Sequence, residues 1–403
     1  MFTESPVVVP QPFAYRSLTR EPGYLVETRA EGSFTVGDGE PAFVVRVPNR
    51  AYWQQLVRFD AYRAGIEFIR GSFDVEGDLP AAIETWVGLG RAATLPYLLR
   101  SLLPRLRVER WIQSRRTARR NIEFHYDRSN DFYRLFLDAR LVYSCAYFDT
   151  PDVTIDEAQA AKLDHICRKL DLRPGDSFLD IGCGWGALVV QAAECYGVEA
   201  TGCTLSMAQY KGATERLAER HLDARAHIEP RDYRDLTGRF DKIASVGMIE
   251  HVGRARLGEY FRTVAARLDD AGLFLNHGIV RPAGVREDAA TYFLQRRVFP
   301  GSELPYLSHM LDMAAAAGFE VLDVENLRPH YALTCRAWVA RLQANRAACL
   351  ETVDEATYRT WLLYLAGSAV NFTRGLSDVY QVLLAKRSLA QVRYLTRRYQ
   401  YRD

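Results

Sequence analysis

The alternation of apolar and polar positions divides the chain into two regimes. Between residues 24 and 48, YLVETRAEGSFTVGDGEPAFVVRV changes sides about every second residue and is broken by Gly and Pro, which predicts a small antiparallel sheet. Helical spacing follows from Tyr52 to Arg70 and from Leu79 to Leu99. From Arg173 onward, short apolar runs alternate with amphipathic stretches. The predicted strands are SFLDIG, VEATGCT, AHIEP, FDKIASVG and GLFLNHGI, then EVLDVEN and VYQVLLAK. Helical spacing appears between them in ALVVQAAECYG, SMAQYKGATERLAERH and LGEYFRTVAARL. This pattern predicts an α/β fold, a mainly parallel sheet with helices on both faces. Residues 281–308 interrupt it and are expected to insert a lid or substrate-binding element between the fifth and sixth of these strands.

Composition narrows the class. The chain has 403 residues, 48% hydrophobic and 25% charged, the balance of an ordinary globular protein with two or three domains. No run approaches the roughly 20 apolar residues of a membrane span, so any lipid contact is expected to be peripheral. Lys plus Arg number 52 against 50 Asp plus Glu, which argues against a nucleic-acid binder driven by overall charge. The charge is unevenly placed: residues 100–120 hold eight arginines and the single acid Glu109. We place the domain boundary there, with an accessory domain over 1–104, a basic linker over 105–120 and a catalytic domain over 121–403. The arginines suit either a solvated helix face or a surface for anionic lipid headgroups. Seven cysteines without a CxxC pair fit a reducing compartment, so a cytoplasmic location is expected, and MFTESPVVVP lacks the pattern of a signal peptide.

Candidate chemistry concentrates at Asp180-Ile181-Gly182-Cys183-Gly184-Trp185-Gly186, a glycine-rich turn after a predicted strand and before a predicted helix. Its spacing is GxGxG, not GxGxxG, and about 20 residues on stands GCTLS where a dinucleotide fold places an acid, so a nicotinamide dehydrogenase is a minor reading. Together with TLSMAQ, RDYRDL and SVGMIEHVG, the turn resembles S-adenosylmethionine-dependent methyltransferases, specifically the cyclopropane-fatty-acyl-phospholipid synthase family and its mycolic-acid relatives. FHYDRSNDFYRLFLDARLVYSCAYF upstream, VFPGSELPYLS, LRPHYALT and WLLYLAGSAVNF downstream, and GIEFIRGSFDVEGDL near the N-terminus resemble further blocks of that family.

The resemblance implies a class I methyltransferase (Rossmann-like) fold preceded by a small α+β domain. It implies donor contacts at Tyr143 and Ser144, at Leu179, Asp180, Gly182, Gly184 and Gly186, at Thr204, Leu205, Ser206 and Gln209, and at Asp232 and Tyr233. Turn N–H groups suit a carboxylate and polar side chains suit ribose hydroxyls, although Thr204, Ser206 and Gln209 alone would read as a helix cap. The resemblance further implies a bound bicarbonate held by Cys145, Glu250, His277, Ile279 and Tyr331, with Cys145 and Ile279 acting mainly through the backbone. Tyr126, Tyr143 and Phe299 are the implied ring faces for a cationic transition state; singly, each could be ordinary core packing. His277 alone would suit a satisfied core histidine, Tyr331 a loop anchor and Cys145 a small buried hydrophobe. Glu250-His251 lacks the HExxH spacing, so no metal is expected.

The implied reaction is transfer of a methylene carbon to a cis double bond of a phospholipid acyl chain at the inner membrane face. Open alternatives are a methyl or methylene branch, methylation of another small acceptor, and an inactive peripheral lipid-binding protein; homodimer formation is also left open. Ser368 stands where the family often has cysteine, and this departure rules out a covalent cysteine at that position.

Overall fold

The computed structural model describes residues 23–37, 39–88, 130–285, 293, 297–298, 303–387 and 396–401. Two compact units emerge. One gathers Met1–Val108, Arg286–Pro300 and Ala332–Arg374; the other gathers Glu109–Val285, Gly301–Tyr331 and Gly375–Asp403. The first thus takes up two stretches from the region that the sequence reading assigned to the catalytic domain. The arginine-rich boundary lies outside the described residues, as do Tyr126 and Phe299.

The first unit contains a four-stranded sheet ordered β2-β1-β3-β4, formed by β1 (Tyr24–Thr28), β2 (Gly32–Val36), β3 (Phe43–Val47) and β4 (Asp74–Gly77). The expected all-antiparallel pairing needs correction: β1 pairs antiparallel with β2 but parallel with β3. Alternation marks which residues face inward and does not encode strand direction. The single helix expected over 52–70 is two helices, α1 (Arg50–Leu56) and α2 (Ala61–Ile69). Asp60 breaks the run because its carboxylate accepts from the Arg63 N–H at 2.8 Å, which starts a new helix. Apolar periodicity survives the break, since Trp53, Leu56, Phe59, Ala64 and Phe68 are all buried. After α3 (Leu79–Gly88), the same unit includes α13 (Glu355–Thr373), whose buried Arg359 donates to the Phe68 and Phe73 carbonyls at 3.1 and 3.3 Å. Ser368 lies in this helix, half-buried.

The second unit is built on seven strands, all of them expected from the pattern: β5 (Ser177–Ile181), β6 (Glu199–Cys203), β7 (Ala226–Glu229), β8 (Phe240–Val246), β9 (Leu268–Val280), β10 (Phe319–Asn326) and β11 (Asp378–Lys386). Their order is β10-β11-β9-β8-β5-β6-β7; the five from β9 to β7 run parallel, and β11 is antiparallel to both neighbours. One face packs on α5 (Ile155–Lys169), α6 (Ala187–Tyr196) and α7 (Met207–Glu219) through Leu163, Val189 and Leu217. The other packs on α9 (Leu257–Arg267) and α10 (Leu307–Ala316) through Phe261, Val264 and Met310. Strand β5 sends Phe178 to the first face and Leu179 and Ile181 to the second. The two-residue period then places Asp180 beside Phe178, toward α5. On β9 the same rule puts Leu273, Leu275, His277 and Ile279 together on the α5 side.

The strand alternation breaks after β9. The base of the break is pinched where the Arg281 N–H donates to the Pro305 carbonyl at 2.8 Å and Arg281 bridges Tyr306. The chain leaves β5 toward β6 on one side and returns through β8 on the other. Their carboxyl ends therefore open a crevice at the point where strand order reverses, the usual binding position in such sheets.

Candidate active site

The floor of this crevice is the glycine turn. Gly182, Gly184 and Gly186 have φ of 77, 55 and 79°, values that side chains with a Cβ rarely adopt. A Cβ on Gly186 would also come within 3.1 Å of Ala213 Cβ, so α6 and α7 are held close by its absence. Of the residues implied for the donor, Tyr143, Ser144, Asp180, Gly182, Gly184, Thr204, Leu205, Gln209, Asp232 and Tyr233 line one cleft. Leu179, Gly186 and Ser206 do not: Leu179 faces the core of the opposite side, Gly186 opens α6, and Ser206 caps α7 by accepting from the Gln209 N–H at 3.3 Å.

Polar groups on the α7 side of the cleft are tied to one another. The Thr204 hydroxyl donates to Gln209 Oε1 at 2.8 Å and accepts from the Ser206 N–H at 3.2 Å. Asp232 accepts from Arg234 Nε at 2.8 Å and from a second guanidinium nitrogen at 2.6 Å. Tyr143 and Trp185 form another wall; behind them the buried Tyr133 ring lies 5.7 Å from Tyr143 and 5.1 Å from Trp185, whose indole N–H donates to Asn130 Oδ1 at 2.9 Å. Asp180 differs from these. It is buried, its Oδ1 has no hydrogen-bond partner, and burial pushes its carboxyl up to about 7 against the opposing pull of Lys162.

Lys162 and Met248 were not singled out in the sequence, yet both line the cleft. For Lys162 a signal existed: it falls on the apolar stripe of α5, where a charge is out of place unless it has a partner.

The five residues implied for bicarbonate are linked by a chain of short contacts. Glu250, in the single turn α8 (Ile249–Val252) after β8, accepts from the Ile279 N–H at 2.7 Å through Oε1. Ile279 pairs across the sheet with Val379, whose carbonyl accepts from the Leu327 N–H at 2.9 Å. The Leu327 carbonyl meets Cys145 Sγ at 3.6 Å and the Tyr331 N–H at 3.0 Å. Tyr331 thus sits in the first turn of α11 (Arg328–Ala344), not in a loop. His277 lies two residues before Ile279 and contacts Gln381 Nε2 through Nδ1 at 3.2 Å.

None of the five lines the donor cleft, but Ser144, Gly247 and His251, their chain neighbours or hydrogen-bond partners, do. The Gly247 N–H donates to the His277 carbonyl at 2.8 Å, which ties the strand of His277 to the cleft wall. Glu250 and His277 share one property. Each is buried and keeps one side-chain atom, Glu250 Oε2 and His277 Nε2, without a hydrogen-bond partner. Burial raises the Glu250 carboxyl to about 7, opposed by the Ile279 N–H, and drives His277 well below its ordinary value, so His277 is neutral at pH 7. Unpaired buried polar atoms are costly, and each of these two would gain from a small polar ligand. Among the described residues no cluster of His, Cys, Asp and Glu is arranged to hold a metal ion, and no helix is long and apolar enough to cross a membrane.

The sheet order, glycine turn and crevice are those of a class I S-adenosylmethionine-dependent methyltransferase. Residues 113–382 match the family described as mycolic acid cyclopropane synthetase, and the chain belongs to that family. A Pseudomonas putida protein named "Probable fatty acid methyltransferase" is 42% identical over 342 residues, 82% of this chain and 84% of that protein. Cyclopropane mycolic acid synthase 1 of Mycobacterium tuberculosis is 36% identical over 277 residues, 66% of this chain and 96% of the other. Among solved structures, the Mycobacterium tuberculosis cyclopropane synthase MmaA2 superposes with a TM-score of 0.65 at 33% identity, covering 66% of this chain and 98% of that one. CmaA1 complexed with SAH and CTAB gives 0.64 at 36% identity over the same shares. Coclaurine N-methyltransferase, at 21% identity and a TM-score of 0.60, covers 83% of this chain and 99% of its own and shares the fold.

Proposed function

We propose that this enzyme transfers one methylene carbon from S-adenosylmethionine to a cis double bond in an acyl chain of a membrane phospholipid and closes a cyclopropane ring, with bicarbonate as the base. The observation that carries the reading is the pair of buried, unpartnered atoms Glu250 Oε2 and His277 Nε2. With Gln381 Nε2 donating to His277 Nδ1, the neutral ring carries its proton on Nε2 and can donate it to an anion. Glu250, fixed through Oε1 by the Ile279 N–H, presents Oε2 to accept a hydroxyl. Bicarbonate offers both an anionic oxygen and a hydroxyl. Tyr331 and the backbone of Cys145 complete the proposed set.

When bound, S-adenosylmethionine supplies an electrophilic methyl carbon on a sulfonium and bicarbonate supplies a base for the surplus proton. The protein's part is to orient and to keep water away. Tyr143 and Trp185 supply aromatic surface at the cleft, backed by the buried Tyr133, and ring faces tolerate a developing positive charge without attacking it. Tyr126 and Phe299 are proposed as further faces. The arginines of 100–120 are proposed to hold the enzyme at an anionic membrane surface.

The test is incubation of the purified enzyme with S-adenosylmethionine, bicarbonate and vesicles of a cis-monounsaturated phospholipid, followed by mass spectrometry of the released acyl chains. A gain of one carbon as a cyclopropane ring is expected. The same mass gain as a methyl or methylene branch that keeps a double bond, told from the ring by uptake of hydrogen under mild catalytic hydrogenation, would move the assignment to the second reading, which the name of the Pseudomonas relative favours. Unchanged chains would leave only a lipid-binding role.

A further inference from the structure

Beneath the donor cleft, α5 presents two buried polar side chains to one short segment. Gln159 and Lys162 are three residues apart, hence on one helix face, and are 0% and 1% exposed. Gln159 Nε2 donates to the Ser144 carbonyl at 2.9 Å and Lys162 Nζ donates to Ser144 Oγ at 2.9 Å. The helix they stand on is anchored by a reciprocal cap between Thr154 and Glu157. Lys162, Ser144 and Asp180 all reach the cleft.

An ammonium group has three donors and no acceptor. Where it meets a serine hydroxyl, the serine oxygen must accept, and the hydroxyl proton is directed elsewhere. We infer that Lys162 is a positioning residue for the donor: its buried ammonium obliges Ser144 to donate its own hydroxyl proton into the cleft, toward the carboxylate of the amino-acid part of S-adenosylmethionine. The inference rests on the cleft being the donor site. Two further features agree with it. Lys162 supplies a compensating positive charge where Asp180 and an incoming carboxylate would otherwise leave excess negative charge, and although burial lowers its ammonium to about 8, Cys145, Asp138 and Asp180 oppose that shift, so it is mostly protonated at pH 7. Lys162 acts on the ligand through Ser144, so its effect is expected on the amino-acid end and not on the nucleoside.

Calorimetric titration separates those ends. The probes are S-adenosylhomocysteine, which carries the amino acid, and 5′-methylthioadenosine, which lacks it. Wild type is expected to bind both. Lys162→Met should weaken S-adenosylhomocysteine about tenfold or more and leave methylthioadenosine within about twofold, with Lys162→Arg recovering part of the loss. Ser144→Ala should show the same selective loss, and the double variant should lose little more than either single one. Should Lys162→Met fail to fold, Ser144→Ala and Lys162→Arg carry the test. Equal weakening of both probes, or none of either, would overturn the role of Lys162. Failure of wild type to bind both probes would instead overturn the assignment of the cleft.

Discussion

The two halves of the site treat their polar groups in opposite ways. Along the α7 side of the donor cleft, Thr204, Gln209, Ser206 and Asp232 already have partners within the protein, and the glycine turn beneath them allows little other than its present shape. Around Glu250 and His277, each side chain is held by one atom and left unpaired at the other. The first half is a preformed mould whose hydrogen bonds hold shape. The second carries an energetic cost that a ligand would relieve. On the proposed reading, such a site binds its donor on a rigid surface and leaves its reactive end to be completed by bicarbonate.

Variants can break this division. The largest effect is expected for Glu250→Ala, which should lower kcat about 10³-fold, within the range for loss of an acid-base group, while S-adenosylhomocysteine affinity stays within about twofold. Steady-state kinetics with calorimetry checks it, and parallel loss of both would dissolve the distinction. Two glycines make a matched pair. A Cβ at Gly278 would collide with Ile249 Cγ2, next to Glu250, whereas one at Gly202 would meet Cys183 Sγ and Ile228 Cδ1 at 2.8 Å beneath the donor turn. Each substitution to Ala should destabilise by about 1–3 kcal/mol in thermal unfolding. Gly278→Ala should mainly reduce kcat and Gly202→Ala mainly raise KM for the donor.

The raised carboxyl of Glu250 gives a pH signature of smaller size. Burial holds its carboxyl near 7 in the folded protein, above the ordinary 4.5, so the native state retains a proton that the unfolded chain loses between these values. Stability from this group therefore falls as pH rises from about 4.5 to 7, and the penalty is complete above. Glu250→Gln, which has no such titration, should be more stable than wild type at pH 8 by on the order of 2 kcal/mol, with the difference shrinking toward pH 5. A pH-independent difference would contradict it. Smallest, Thr154→Ala should cost about 1 kcal/mol through loss of the α5 cap and leave kcat unchanged, as melting curves and initial rates would reveal.

Much of the second unit was legible because its strands are buried and bounded by turns. The seven runs fold as seven strands, and the glycine turn lies where the motif put it. The first unit was less so. Nothing in YLVETRAEGSFTVGDGEPAFVVRV distinguishes a parallel β1–β3 pair from an antiparallel one, and Asp60 breaks a helix without breaking its apolar stripe. Residue types at the site were visible through resemblance, but their state was not. That Glu250 keeps one oxygen unpaired depends on Ile279, 29 residues away, taking the other. The place of Lys162 on the apolar stripe of α5 says that it needs a partner but not which one, since Ser144 lies 18 residues earlier in the chain.

Bicarbonate dependence tests the central claim most directly. Cyclopropane formation should be followed in buffer stripped of carbon dioxide and then with bicarbonate restored. Turnover is predicted to fall on depletion and return on addition in wild type, with no such return in Glu250→Ala. A wild-type rate indifferent to bicarbonate would contradict the account.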